Sequence, residues 1–165
     1  MRLVVMALPA VSWLLVIQEL RRVMRPGGWI ELVDTTVTAR VPGAEQWTAW
    51  AQTLARKRGI DLTAGAQVGA FLRQARMRDV QEISLEVPIG PWGGRIGHLL
   101  MADGLAGAHA LQTPVVQMAH LATAAESDAG MARMEHDFRT LHGITQPFYI
   151  AFRRKQYPRQ VASDS

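Results

Sequence analysis

Residues 20–34, LRRVMRPGGWIELVD, constrain this chain more than any other stretch. Leu20, Val23 and Met24 continue an apolar helical stripe. Arg21, Arg22 and Arg25 occupy what reads as the last turn, where cations suit the negative end of the helix dipole. Pro26 cannot continue a helix, and Gly27-Gly28 permits a left-handed exit. Residues 29–33 are almost wholly apolar and predict a strand covered on both faces, closed by Asp34. A helix feeding such a strand through a short loop is half of an α/β unit. In an open α/β sheet, ligands bind at the carboxyl ends of strands, which makes Asp34, Thr35 and Thr36 the first candidate site residues.

At 165 residues the chain suffices for one core and is short for two. The absence of cysteine excludes a disulfide framework and thiolate metal sites, and agrees with a reducing, cytoplasmic location. The net charge of +4 is scattered in small arginine clusters at expected helix ends, not gathered on one face with stacking aromatics. Nucleic acid is therefore not an expected partner. The apolar run after Arg2 imitates a signal or anchor, but Pro9 interrupts it and about 20 apolar residues are needed to span a bilayer. From Trp13 onward the pattern is amphipathic, with Trp13, Val16, Ile17, Leu20, Val23 and Met24 on one face. It predicts a buried helix from Pro9 to about Arg25, and no membrane partner.

Further along, residues 45–58 predict a helix ended by Gly59, with Trp47 and Trp50 on one face, read as core anchors with the capping of a substrate cleft as the alternative. Asp61 or Thr63 is expected to cap the next helix, whose apolar face is Val68, Phe71, Leu72 and Ala75. Residues 80–87 alternate, as does 148–153; both predict strands. Between them, residues 88–145 form an insertion that reads as helical in pieces: about 94–111, 114–124 and 127–142. Met131, Met134, Phe138 and Leu141 share a face of the last piece. Residues 156–165 are a polar tail, expected to fray.

The stretch 90–97, GPWGGRIG, precedes a helix and tempts one towards a phosphate loop. Its spacing is neither the dinucleotide fingerprint nor a Walker loop, and it reads as a hinge into the insertion. If the insertion is a lid, Trp92, Arg95 and His98 belong near a cleft. The five histidines offer no compact zinc pattern, so no metal is expected. No G-x-S-x-G nucleophile elbow is present.

The wording of residues 19–34, ELRRVMRPGGWIELVD, resembles the stretch that leads into the fifth strand of class I S-adenosylmethionine-dependent methyltransferases. RLVVMALP, residues 2–9, looks like the segment after their fourth strand. FLRQARMRDV, residues 71–80, resembles their entry into the sixth strand, with Arg76 where the family has glycine. If that helix still ends in a left-handed residue, the exit costs on the order of 1 kcal/mol more than with glycine. The resemblance covers roughly residues 2–155 but only the later half of the usual domain; the glycine-rich cofactor loop and the acid ending the second strand are missing. It implies an α/β fold: the C-terminal half of a Rossmann-like sheet, small and mixed, with a helical insertion between the last two strands. The last strand then runs antiparallel beside the fifth. Residues 1–155 make a partial methyltransferase domain in this reading, with the insertion at about 88–145.

The function so implied is the carboxyl-terminal part of a small-molecule methyltransferase, carrying the substrate side and a lid, and truncated by fragment boundaries. S-adenosylmethionine is the cofactor of the complete domain, and the isolated chain is expected to be inactive. Arg2 and Leu3 are the residues left to touch cofactor; Asp34, Thr35, Thr36, Trp92, Arg95, His98 and Tyr149 are the candidates for substrate contact. Methyl transfer needs alignment and water exclusion more than reactive side chains, so no catalytic residue is named. The partner is a small methyl acceptor, with a homodimer possible through an exposed strand edge. Two alternatives stand: a non-catalytic interaction module or remnant of the same fold, and a membrane-anchored small protein.

Overall fold

The computed structural model describes residues 1–155. A 3-10 turn, Ala10–Ser12, opens helix α1, Trp13–Val23, which leads into strand β1, Trp29–Thr35. Helices α2, Glu45–Lys57, and α3, Val68–Gln74, follow, then strand β2, Gln81–Pro88. Helix α4, Gly94–Thr113, a π-helical turn, Pro114–Met118, and helix α5, Ala124–Thr140, precede strand β3, Thr145–Arg154. The sheet order is β1-β3-β2, and β3 is antiparallel to both neighbours. The N-terminus adds a single parallel bridge, Arg2 to Val33, which makes the sheet mixed. This is the small mixed sheet with an inserted helical segment that the sequence implies, consistent with part of a Rossmann-like methyltransferase fold.

The stop after α1 works as its residues suggest. Arg21 and Arg22 stand in the last turn, and Gly27 takes φ 75°. The helix nevertheless ends at Val23 because Met24 is already extended. Lys155 supplies what the sequence did not reveal: its Nζ donates to the carbonyls of Arg21 and Met24, satisfying orphan acceptors at the helix end. Arg76 takes φ 61°, so the left-handed exit after α3 is made by arginine, as expected from the missing glycine.

Several expectations need correction. Strand β1 is covered on one face only: Ile30, Leu32 and Asp34 are buried, while Trp29 is 64% exposed. Helices α1 and α3 cover that one face, and Trp13, Ile17, Val68 and Leu72 join Ile30, Leu32 and Ala151 in its core. The other face, bearing Ile83 and Leu85, is open among the described residues. Val23 and Leu141, expected to be buried, are exposed. Neither Asp61 nor Thr63 caps α3; Asp61 Oδ1 instead accepts from the Thr63 amide and hydroxyl, forming a turn before the 3-10 segment Ala64–Gln67. The middle piece of the insertion is a π-turn, not a longer helix. The fraying expected of residues 156–165 lies outside the described residues.

A second core belongs to the insertion. Trp47 and Trp50 of α2 meet edge to face at 5.5 Å and pack with Met101 and Ala108 of α4 and with Met131, Met134 and Phe138 of α5. Because β3 lies between them antiparallel to both, β1 and β2 run parallel. Their carboxyl ends therefore share one end of the sheet. The insertion leaves β2 at Pro88 and re-enters β3 at Thr145, its cross-strand partner, so its helices emerge beside the carboxyl end of β1.

Candidate functional site

Between the sheet and the insertion lies a cavity of ≈ 470 Å³. Its sheet side is the end of β1 and the loop beyond it, from Asp34 to Thr38, with Arg40. Its helical side includes Trp47 of α2, Leu100, Asp103, Gly107 and Leu111 of α4, and Met134 and Phe138 of α5. Leu3 and Val5 close it from the N-terminal segment, Gln146 and Phe148 from β3. The size falls in the range of small-molecule sites, and apolar walls with a few polar groups are their usual composition.

The polar groups are held by named bonds. Asp34 is 1% exposed and its carboxylate is already engaged: Oδ2 accepts from the Val4 amide at 2.9 Å and Oδ1 from the Thr35 amide at 2.9 Å. It ties the N-terminal segment to the end of β1. Thr35 Oγ1 donates to the Pro147 carbonyl, and Gln146 Nε2 donates to Thr35 Oγ1 and the Thr36 carbonyl. This network fixes the junction of β1 and β3 under the cavity. Arg40 Nη2 donates to Thr36 Oγ1 at 3.2 Å, whereas Arg40 Nε is buried with no partner.

Of the residues picked from sequence, Leu3, Asp34, Thr35 and Thr36 come together in this lining. Arg2 lies outside it, exposed and paired with Glu31. Trp92 donates its indole N–H to the Ile89 carbonyl at 2.8 Å and lies outside the lining, as do the exposed Arg95 and His98 at the start of α4. Tyr149 stands opposite Asp34 across the β1–β3 pair and packs into the sheet core instead. Arg40, Asp103, Gln146 and Phe148 were not singled out from sequence. Arg40 had a signal: it follows the carboxyl end of a strand by only a few residues, where ligands gather in open α/β sheets. Asp103 and Gln146 had none, because the insertion's docking is not encoded locally.

Among the described residues there is no group of three or more histidine, aspartate and glutamate side chains placed to hold a metal, and no helix is long and apolar enough to cross a membrane.

No family model matches the chain. It is 26% identical over 83 residues to the N-methyltransferase sirN of Leptosphaeria maculans; that alignment covers 47% of this chain and 29% of the fungal protein. Among solved structures, it aligns with a Haemonchus contortus phosphoethanolamine N-methyltransferase 2 in complex with phosphomonomethylethanolamine and S-adenosylhomocysteine. That match has a TM-score of 0.46 and 9% identity, covering 94% of this chain and 32% of the other. The chain is distantly similar to a methyltransferase, and it spans less than a third of the curated relative it matches.

Proposed function

We propose that the chain is the C-terminal portion of an S-adenosylmethionine-dependent methyltransferase acting on a small molecule, and that it carries the acceptor side of the site with its helical lid. The observation that carries this reading is the ≈ 470 Å³ cavity at the carboxyl end of β1, walled by the insertion. A site placed there aligns an acceptor against the strand ends while α4 and α5 exclude water, which is what methyl transfer asks of a protein. The cofactor's sulfonium supplies the reactive methyl when bound. Asp34 has both carboxylate oxygens committed to backbone amides, so its role in this reading is to hold the cavity's floor, not to take a proton.

The second reading, a non-catalytic module of the same fold, draws on the open sheet face, where Trp29, Ile83 and Leu85 are exposed. Gly107 separates the two. It lines the cavity, and a Cβ added there meets nothing within 4 Å, so Gly107→Leu is the substitution chosen to narrow the cavity. The chain, expressed with whatever residues its reading frame encodes before Met1, is assayed with labelled S-adenosylmethionine and mixed small-molecule acceptors. The methyltransferase reading expects transfer by the parent and loss of transfer, with cofactor binding kept, in Gly107→Leu. No transfer from a parent protein that does bind the cofactor favours the module.

A further inference from the structure

In the sequence the basic residues stand in separate clusters, at 21–25, 56–58, 73–78 and 153–155. The fold gathers three of these. The carboxyl end of α1, the turn between α3 and β2, and the carboxyl end of β3 meet at the end of the sheet where β1 and β2 begin. Hydrogen bonds tie them together. Arg21 Nη1 donates to the Ala75 carbonyl, Lys155 Nζ to the Arg21 and Met24 carbonyls, Arg154 Nε to the Gly27 carbonyl and Arg153 Nη1 to the Asp79 carbonyl. Half of the chain's 18 lysines and arginines thus stand at one end. Glu19, Glu82 and Asp79 offset Arg22, Arg73 and Arg153. Arg25, Arg76 and Arg78 are exposed and make no ion pair among the described residues. The cluster at 56–58 is elsewhere: Gly59, just after it, accepts from the Ala10 amide beside the start of α1. Like charges crowded at one end repel, and an anionic partner relieves that repulsion. Apolar groups flank them. Val23 is 62% exposed at the end of α1 and Trp29 is 64% exposed at the start of β1. A polynucleotide asks for a groove with a row of stacking aromatics. This end instead presents projecting turns with an indole and an aliphatic side chain beside arginines, a composition that settles at the headgroup level of a bilayer.

We propose that this end of the molecule docks on an anionic bilayer surface. Arg25, Arg76 and Arg78 meet the phosphates and carboxylates of the headgroups, and Val23 and Trp29 enter the headgroup layer. No helix among the described residues is long and apolar enough to cross a membrane, and this contact needs none. The cavity lies at the other end of β1 and β2, away from the docked surface. The inference is independent of what the cavity binds.

The test floats the full chain with vesicles through a density step at about 0.1 M salt, where exposed charges still act over about 10 Å. Vesicles of phosphatidylcholine mixed with phosphatidylserine are expected to carry the chain upward, and vesicles of phosphatidylcholine alone are not. Each arginine at an anionic surface is worth about fivefold in partitioning, so the triple variant Arg25→Gln, Arg76→Gln, Arg78→Gln should bind roughly a hundredfold more weakly. The triple variant Arg56→Gln, Lys57→Gln, Arg58→Gln removes the same charge from another part of the molecule and should bind like the parent. None of these six residues makes an ion pair among the described residues, so circular dichroism of both variants is expected to match the parent. Trp29→Ser should weaken binding several-fold while leaving its salt dependence unchanged. No flotation with the anionic vesicles, equal flotation with both compositions, an equal loss in the two triple variants, or undiminished binding in Trp29→Ser each overturns the proposal. So does a single-stranded oligonucleotide that binds the chain more tightly than the anionic vesicles do.

Discussion

Single residues in this chain divide between those that build the cavity and those that fix the elements around it. Asp34 belongs to both groups. An acid at the end of a strand in an α/β sheet reads as a ligand contact, yet its two oxygens hold the Val4 and Thr35 amides. Its location was legible, but nothing local encodes that the Val4 amide reaches it, because Val4 is brought there by the N-terminal bridge to β1. Glu126 is the clearest case of a residue fixing an element. It closes a capping box at the start of α5: its carboxylate accepts from the Thr123 amide and hydroxyl, while Thr123 Oγ1 accepts from the Glu126 amide. The backbone hydrogen bond from Thr123, then the side-chain one, hold the Glu126 carboxyl below its ordinary value. A carboxylate with a depressed folded pKa stabilises fully above its unfolded pKa and loses that contribution as pH falls through the folded value. Hydrogen exchange in the first turn of α5 should therefore quicken as pH drops below the usual carboxylate range, about 4, after correction for intrinsic rates. In Glu126→Gln that acid-specific step is expected to vanish.

At the scale of elements, the strands and most helices were legible and their edges were not. Alternation at 80–87 and 148–153 gave β2 and β3, and the proline-glycine stop gave the end of α1 within two residues. The apolar run 29–33 misled because residue type alone cannot say that the second face of β1 lacks a covering layer. The π-turn Pro114–Met118 was invisible for a similar reason: Pro114 continues from α4 instead of breaking it, with the Ala119 amide bonding to the Pro114 carbonyl. The approach of the 3-10 segment Ala64–Gln67 to β1 is a tertiary fact resting on one glycine. A Cβ on Gly65 would overlap the carbonyl oxygen of Thr35, a backbone atom at the cavity's edge. Gly65→Ala is therefore expected to lower stability by about 2–3 kcal/mol, the upper range for overpacking. Urea unfolding measures it: a fall in midpoint with unchanged slope supports the account, and an unchanged midpoint contradicts the close approach.

On the scale of the molecule, the two larger cores among the described residues meet at one cavity. The sheet core holds α1 and α3 against the inner face, and the second core gathers α2, α4 and α5. The order of strands was legible through the family resemblance, and the cavity's sheet side through Asp34, Thr35 and Thr36. The helical side was not, since Asp103, Gly107 and Phe138 reach the site only through the docking of the insertion. The outer edge of β1 is less bare than the sequence suggested. The Val33 amide donates to the Met1 carbonyl, Leu3 donates to the Val33 carbonyl, and the terminal amine donates to the Glu31 carbonyl. The face bearing Trp29, Ile83 and Leu85 and the strand β2 stay exposed among the described residues.

The central claim is that these residues make the acceptor side of a methyltransferase site and that the grip on the cofactor lies elsewhere. Losing three hydrogen bonds of about 1–1.5 kcal/mol each weakens binding by roughly two to three orders of magnitude. Calorimetric titration of S-adenosylmethionine into the purified chain, with sedimentation velocity on the same sample, tests this most directly. The account expects no measurable heat of cofactor binding and a sedimentation coefficient that rises with concentration. A one-to-one, micromolar complex with a monomeric chain would contradict it, and would place a cofactor site within residues 1–155.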